Sequence, residues 1–328
     1  MMKIGVDIFG GDFAPEATVL GAILAQKELP IDTKLVLIGD EKKIKQIAAR
    51  EKFDASLWEI INTSDFIGMG EHPAKAYTKK PNASIPIGFQ LLKSGAINGF
   101  ASAGSTGAMM VGAMMVIKLI PGIIRPTLAT IMASDTEAPS VIVDAGINPD
   151  ARPDCLLQYG ILGSLYAKHV YNIENPRVAL LNIGSEEEKG NLLTKAAFNL
   201  FKESNAFNFV GNIEGHDIFS KEKVDVIVCD GFVGNIVLKE AEAFYQLIKK
   251  RKIEDSFFEQ FNFERYGGTP ILGINSTAII GHGISNDKAI KSMILHTCQV
   301  VQARLIDKIK EAFKQEGIID KIKEAFKQ

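Results

Sequence analysis

The chain has 328 residues, 46% hydrophobic and 23% charged, and its 37 basic and 39 acidic side chains leave a formal net charge of -2. That balance argues against nucleic acid as the main partner, and the length allows a sizeable core in one α/β unit. Cys155, Cys229 and Cys298 are scattered without CxxC spacing, which fits a reducing compartment better than a disulfide framework, so the cytoplasm is the expected location.

Along the chain one unit recurs: a short run rich in Val and Ile, a loop of Gly, Asp, Asn or Ser, then a helical pattern. KIGVDIF (3–9) enters GGDFAPEA and a helix, LVLIGD (35–40) precedes EKKIKQIAARE, and SVIVDAG (140–146) precedes CLLQYGILGSLYAKHV. VALLNIG (178–184) passes through SEEEKGN into LLTKAAFNLFKES, and VDVIVCD (224–230) passes through GFVGN into IVLKEAEAFYQLIKK. Continuous apolar strands alternating with helices predict a mainly parallel sheet covered on both faces, a three-layer α/β/α sandwich. In such sheets functional groups gather at the carboxyl ends of strands, so one shared crevice is expected from GGD, AGST, DAGIN, NIGSEEEKG and CDGFVGN.

The N-terminal stretch reaches Asp7 and a Gly-Gly turn too early for a signal peptide, and no apolar run approaches the roughly 20 residues of a membrane span. A single catalytic domain is expected over 1–305, with a helical insertion at about 245–266 that has a basic start and a Phe-rich middle. The tail repeats IDKIKEAFKQ at 306–315 and 319–328. A shift of 13 residues in one helix rotates the second copy by roughly 220°. Two amphipathic helices separated at Gly317 are therefore expected, as a solvated tail rather than a membrane anchor.

No GxxxxGK[ST], GxGxxG, GxSxG, HExxH or paired-Cys pattern is present, so ATP, NAD, serine hydrolysis and metal catalysis lose ground, and neither cofactor nor metal is expected. Gly104, Ser105, Thr106 and Gly107 form a turn ahead of a helix, where orphan N–H groups and the helix dipole favour an anion such as phosphate. The competing reading is an ordinary N-cap. Gly10, Gly11 and Asp12 join this turn in the expected crevice. GAMMV then occurs twice. Core packing suits most of Met109, Met110, Met114 and Met115, while one flank, with Met109, Met110 and Met114, is the candidate lining for a flexible hydrocarbon.

Farther on, Glu186, Glu187 and Glu188 read as caps and solvated charges, whereas Lys189 can pair either with a phosphate oxygen or with its own glutamates. Asp230 stands at a strand end and Asn235 at the following helix start, and Asp230 either orients the turn or takes a proton. Asn182 and Asn212 are further amide donors. Glu214 and His216 share the FVGNIEGHDI loop, and His282, between two glycines, is the stronger histidine candidate. Cys229 reads as a small buried hydrophobe rather than a nucleophile.

Taken together, GVDIFGGDFAP, SAGSTGAMM, the RPTLA segment at Arg125, VDAGINPDARPDCLLQYG, NPRVALLNIGSEEEKGN, FVGNIEGHDI, VDVIVCDGFVGNIVLK, GGTPILG and IIGHG resemble the bacterial phosphate acyltransferase family (PlsX). The resemblance covers nearly the whole chain. It implies a fold like that of phosphotransacetylases and the isocitrate or isopropylmalate dehydrogenase group. It also implies transfer of a long-chain acyl group from acyl carrier protein to inorganic phosphate, giving acyl phosphate for phospholipid synthesis, in a homodimer with peripheral membrane contact as a further expectation. The segment before GGTPILG is shorter than the family's helical hairpin, and the duplicated tail differs from its usual ending.

For that chemistry Ser105, Thr106 and Lys189 are expected to hold phosphate, Asn182, Asn212 or Asn235 to steady the oxyanion, and His282 or Asp230 to handle protons or orientation. Lys249, Lys250, Arg251 and Lys252 are a candidate dock for an acidic carrier protein. The rival readings are a short-chain phosphotransacetylase using acyl-CoA, a decarboxylating dehydrogenase of related fold, and a non-catalytic module that binds lipid or acyl phosphate.

Overall fold

The computed structural model describes residues 1–136 and 139–314. In chain order the elements are β1 (Met2–Asp7), α1 (Glu16–Gln26), β2 (Thr33–Gly39), α2 (Glu41–Arg50), β3 (Glu59–Asn62), α3 (Pro73–Lys79), α4 (Ser84–Ser94), β4 (Gly99–Ser102) and α5 (Thr106–Gly112). There follow β5 (Thr127–Met132), β6 (Ser140–Val143), α6 (Pro153–Tyr171), β7 (Arg177–Leu181), α7 (Leu192–Glu203), β8 (Asn208–Ile213), β9 (Val226–Val228) and α8 (Gly231–Lys250). The last are β10 (Thr269–Leu272), β11 (Thr277–Ile280), α9 (Asp287–Gln302) and α10 (Leu305–Lys314).

Where the sequence suggested one domain, these elements group into two compact units, Met1–Lys118 with Phe263–Gln302, and Leu119–Asn262 with the chain from Ala303. In the first unit the strand order is β3-β2-β1-β4-β11-β10, parallel except for the β10–β11 pair. In the second it is β5-β6-β9-β7-β8, parallel except for β5–β6. The expected α/β class with a mainly parallel sheet is what forms. The reason is visible in the strands: every residue of β4, β6 and β9 is buried, as crossover helices on both sheet faces require.

Each unit has a point where the chain's progression across its sheet reverses. From β1 the chain moves outward to β2 and β3, then returns to place β4 on the other side of β1. In the second unit β7 and β8 run outward, and β9 returns to lie between β6 and β7. Loops leaving neighbouring strands diverge at such points and open space at their carboxyl ends.

The helices are stopped and started by local chemistry. Asp40 Oδ1 accepts from the amides of Lys42 and Lys43 ahead of α2, and Gly95 at φ +75° closes α4. The helix at GAMMV loosens after Gly112 into a π turn over Ala113–Ile117. The expected insertion at about 245–266 consists of the last turns of α8 followed by two single 3-10 turns, Phe258–Phe261 and Phe263–Arg265. Phe261 stacks edge-on against Phe219 with ring centres 5.3 Å apart, so the Phe-rich stretch serves packing. The first copy of the tail repeat supplies α10, which buries Ile309 and Phe313 and packs on α6. The second copy and Gly317 lie outside the described residues.

Candidate active site

In the first unit three expected loops meet. Asp7 ends β1 with its carboxylate buried, and Ser102, ending β4, donates its hydroxyl to Asp7 Oδ2 at 2.6 Å while accepting the Gly104 amide at 3.0 Å. The Phe9 amide donates to Asp7 Oδ1. Burial pushes the Asp7 carboxyl above its ordinary range, opposed by those hydrogen bonds. Gly10 lies flat on the second loop: a Cβ there would stand 2.7 Å from the Gly104 nitrogen and 2.8 Å from that of Ala103. Gly11 turns at φ +102°, and the Asp12 amide donates to the Gly283 carbonyl at 2.8 Å, tying in the GHG loop.

Individual groups in this cluster take different parts. Ser105 Oγ accepts the Ala108 amide at 3.3 Å, the ordinary cap, and a hydroxyl keeps one O–H for a second partner. Thr106 is exposed at the first turn. Asp12 departs from the anion-binding role expected of it, because its N–H is committed to Gly283 and its exposed carboxylate repels an anion. His282 is half-buried, and its carbonyl accepts both the amide and the hydroxyl of Ser285. Met109 is fully buried and belongs to the core, which removes it from the expected chain-lining flank; Met110 is half-buried and Met114 is 42% exposed.

The second unit holds an open cleft of about 220 Å³ between the ends of β7 and β9, lined among others by Asn182, Ile183, Gly190, Asn191, Cys229 and Asp230. Two helix starts face it. Asp230 Oδ1 accepts the amides of Phe232 and Val233, each at 2.9 Å, ahead of α8, and Asn191 Oδ1 accepts the Thr194 amide at 2.9 Å ahead of α7. Asn182 braces the loop between strand and helix: its Nδ2 donates to the Lys189 carbonyl at 3.2 Å and its Oδ1 accepts the Ile183 amide at 2.9 Å. Gly190, at φ +98°, leaves no room for a Cβ, which would fall 2.4 Å from Asn182 Oδ1. Lys189 is exposed and makes no ion pair with its neighbouring glutamates among the described residues, whereas Glu187 pairs with Lys202.

Asn212 has a different position from the one expected. It is buried, and its Nδ2 donates to the Glu186 carbonyl at 2.9 Å, so it anchors the acidic loop instead of offering an open donor. Asn235 is exposed on the first turns of α8, beside Gly146. His216 is exposed beside Asp217 and is not among the residues that line the cleft. Cys229 lies at the cleft wall with its thiol buried, and burial pushes that thiol well up, with the nearby Asp230 and Asp144 charges adding to the effect. Asp144, which sequence reasoning passed over, accepts from the backbone amides of Leu128, Gly146, Ile147 and Asn148 and from the Asn148 side chain. It shapes the DAGIN loop on which α8 sits through Gly231 and Gly234. Asn191 and Thr194 were missed too, although an Asn directly before a helical pattern is a capping signal.

Residues 2–308 match the model of a family described as fatty acid synthesis protein. A phosphate acyltransferase of Dictyoglomus thermophilum is 40% identical over 96% of this chain and 98% of its own length. One from Halothermothrix orenii is also 40% identical, over 96% of this chain and all of its own.

The chain belongs to the phosphate acyltransferase family.

Members of that family are acyltransferases, and the two strand-end sites are to be read with an acyl group and phosphate as reactants. Solved phosphotransacetylases share the fold. That from Streptococcus pyogenes has a TM-score of 0.65 at 18% identity, and the EutD phosphotransacetylase of Staphylococcus aureus has 0.62 at 19%, each covering 92% of this chain and 94% of its own. Among the described residues no helix is long and apolar enough to cross a membrane.

Proposed function

We propose that the chain transfers a long-chain fatty acyl group from acyl carrier protein to inorganic phosphate, forming acyl phosphate for phospholipid synthesis, and that phosphate attacks the thioester directly. A phosphate oxygen adds to the carbonyl carbon, forming the C–O bond while the carbonyl oxygen takes up negative charge, and collapse of this adduct restores the carbonyl as the C–S bond breaks. The thiolate leaves and takes its proton from solvent, since an ordinary thiol has a pKa of about 8.5. Phosphate near neutral pH is already largely ionised, with a second pKa of about 6 by analogy with its esters. Position and charge are therefore needed more than a protein nucleophile.

The observation that carries this reading is the second unit's cleft. It lies at two capped helix starts and is bordered by Asn182 and Asn191, Lys189 is the exposed neighbour of its lining residue Gly190, and the thiol at its wall is buried and held protonated. In this unit Lys189 is assigned to the phosphate, Asn182 or Asn235 to the oxyanion, and Asp230 to orientation through its cap. In the first unit the Ser105 and Thr106 hydroxyls are assigned to phosphate, with the Gly104–Gly107 turn supplying N–H groups, and His282 to proton handling. Met110 and Met114 are assigned to the acyl chain, and Met114→Phe is expected to shift the preferred donor to shorter chains. An unchanged chain-length profile would return Met114 to a packing role. The resemblance to phosphate acyltransferases extends the reading to a homodimer working in the cytoplasm or at the inner face of the membrane.

The deciding experiment is an assay of acyl transfer to phosphate with long-chain acyl carrier protein and acyl-CoA donors side by side. Phosphate-dependent release of carrier-protein thiol with accumulation of acyl phosphate is expected. A clear preference for short acyl-CoA would make the chain a phosphotransacetylase, and binding without turnover would make it a lipid-binding module.

A further inference from the structure

The basic residues expected to dock an acidic donor, Lys249 to Lys252, are poorly placed for it. Lys249 pairs with Glu259 at 3.1 Å and lies over the Tyr245 ring. It also stands sixteen residues past Val233, the last residue of α8 that lines the cleft in its own unit, about 24 Å along one unbroken helix.

A better surface lies in the first unit, on α3. Pro73 at its start presses on Gly107 of the AGST turn, where a Cβ would stand 2.3 Å from Pro73 Cγ. Ala76 and Tyr77 bury the inner face of the helix, which packs on α5. Lys75 and Lys79 are exposed, one turn apart, and make no ion pair among the described residues. At a rise of about 1.5 Å per residue they stand about 3 and 9 Å along the axis from the residue that touches Gly107.

The acid that begins this segment is already occupied. Glu71 holds Lys80 at 2.6 Å and accepts the Gly68 amide at 2.7 Å, and these partners keep its carboxyl below the usual range. Lys80 also donates to the Phe66 carbonyl at 3.1 Å. This pins residues 66–71 as a strap whose two large side chains, Phe66 and Met69, remain about half exposed, at 49% and 54%. Phe66 packs against Phe9 with ring centres 5.4 Å apart, and the Met69 methyl reaches Gly283 of the GHG loop. Asp65 lies beyond the far end of the strap, with its carbonyl accepting the Ser84 amide. Two exposed lysines thus stand on a helix that Lys80, which also lies over the Phe66 ring at 5.9 Å, ties to a strap with two half-exposed apolar side chains, and Pro73 and Met69 bring helix and strap against the Gly-rich loops.

We infer that this face, Lys75 and Lys79 with Phe66 and Met69, is where the acidic protein that carries the acyl thioester docks, an assignment that rests on the donor proposed above. With a net charge of only -2 the chain offers an acidic partner no general attraction, so the match is local. Lysines of this kind supply encounter and register, while the half-exposed Phe66 and Met69 supply contact area.

The test uses the full chain and two donors, acyl carrier protein and an uncharged acyl-pantetheine with the same chain. Lys75→Glu combined with Lys79→Glu is expected to raise KM for the carrier-protein donor roughly tenfold and to flatten its dependence on ionic strength. Acyl-pantetheine kinetics and the urea midpoint should not move, and Lys250→Glu with Arg251→Glu should leave carrier KM unchanged. An unaltered carrier KM in the α3 variant overturns the assignment, as does an equal loss with acyl-pantetheine. Lost binding to phosphatidylglycerol vesicles with carrier KM intact would give the face to lipid instead. A wild-type enzyme that uses both donors equally well would sink the donor reading itself and this surface with it.

Discussion

The strand-end loops of the first unit are knit together by backbone contacts, whereas those of the second border an open cleft. At the ends of β1 and β4, glycines bring three loops into backbone contact, and the central carboxylate, Asp7, faces Ser102 and the Phe9 amide. At the ends of β7 and β9, glycine serves a turn, and the same kinds of residue surround a cleft of about 220 Å³ whose lining residue Gly190 follows the exposed Lys189 in the chain. A Gly-rich loop at a strand end is thus ambiguous. It can remove side chains so that peptide can approach peptide, or so that peptide can approach a ligand.

The comparison breaks most directly at Gly190. Alanine there meets both the positive φ and the Asn182 amide, and a cost of about 1–3 kcal/mol is expected in urea unfolding, with activity lost as the loop is displaced. Wild-type stability and turnover would show that the cleft edge is looser than its geometry. The next effect separates the two sites: Lys189→Ala should raise the phosphate KM about tenfold without changing the unfolding midpoint. Should Thr106→Val move the phosphate KM while Lys189→Ala does not, the anion belongs to the first unit's turn and the ranking of the two sites reverses.

A smaller effect probes the first unit's strand ends through pH. Because the folded pKa of Asp7 is raised above its ordinary 3.8, the folded state holds this proton more tightly than the unfolded chain does. The associated stability is present in full below pH 3.8 and is lost as pH rises through the raised folded value. Asp7→Asn should remove that downward slope from a series of urea midpoints, and an unchanged slope would show that Asp7 titrates normally. The smallest effect belongs to Cys229→Ala, for which kcat and KM should stay within about twofold, because a buried protonated thiol is no nucleophile. An acyl-enzyme trapped on Cys229 would replace direct attack with a covalent route.

How far the sequence could be read depended on whether a property is local. The runs KIGVDIF, LVLIGD, SVIVDAG, VALLNIG and VDVIVCD coincide with β1, β2, β6, β7 and β9 to within two residues at their starts, because a doubly covered parallel strand needs an unbroken apolar stretch that a short window reveals. Short strands such as β3 and β10 lack that signal and are specified by the neighbours they pair with. The ordered loop motifs carried the family for the same reason, since each is a few consecutive residues.

Which residues of those loops face open space was decided only in three dimensions. Asn182 and Asn212 look alike in sequence, yet one lines the cleft and the other is buried on the Glu186 carbonyl. Asp12 stands in an anion-like loop but gives its amide to Gly283, and Met109 and Met114 occupy the same place in the GAMMV repeat, yet α5 buries the first and the π turn leaves the second exposed. By itself the sequence determined the α/β class, the strand-end loops and the membership in a family of acyltransferases, since alternation, turn chemistry and motifs are written in neighbouring residues. Which donors remain uncommitted, and which lysines stand beside the loops, depends on partners far away in the chain. Burial and hydrogen bonding are properties of the assembled surface, and only the tertiary structure could decide them.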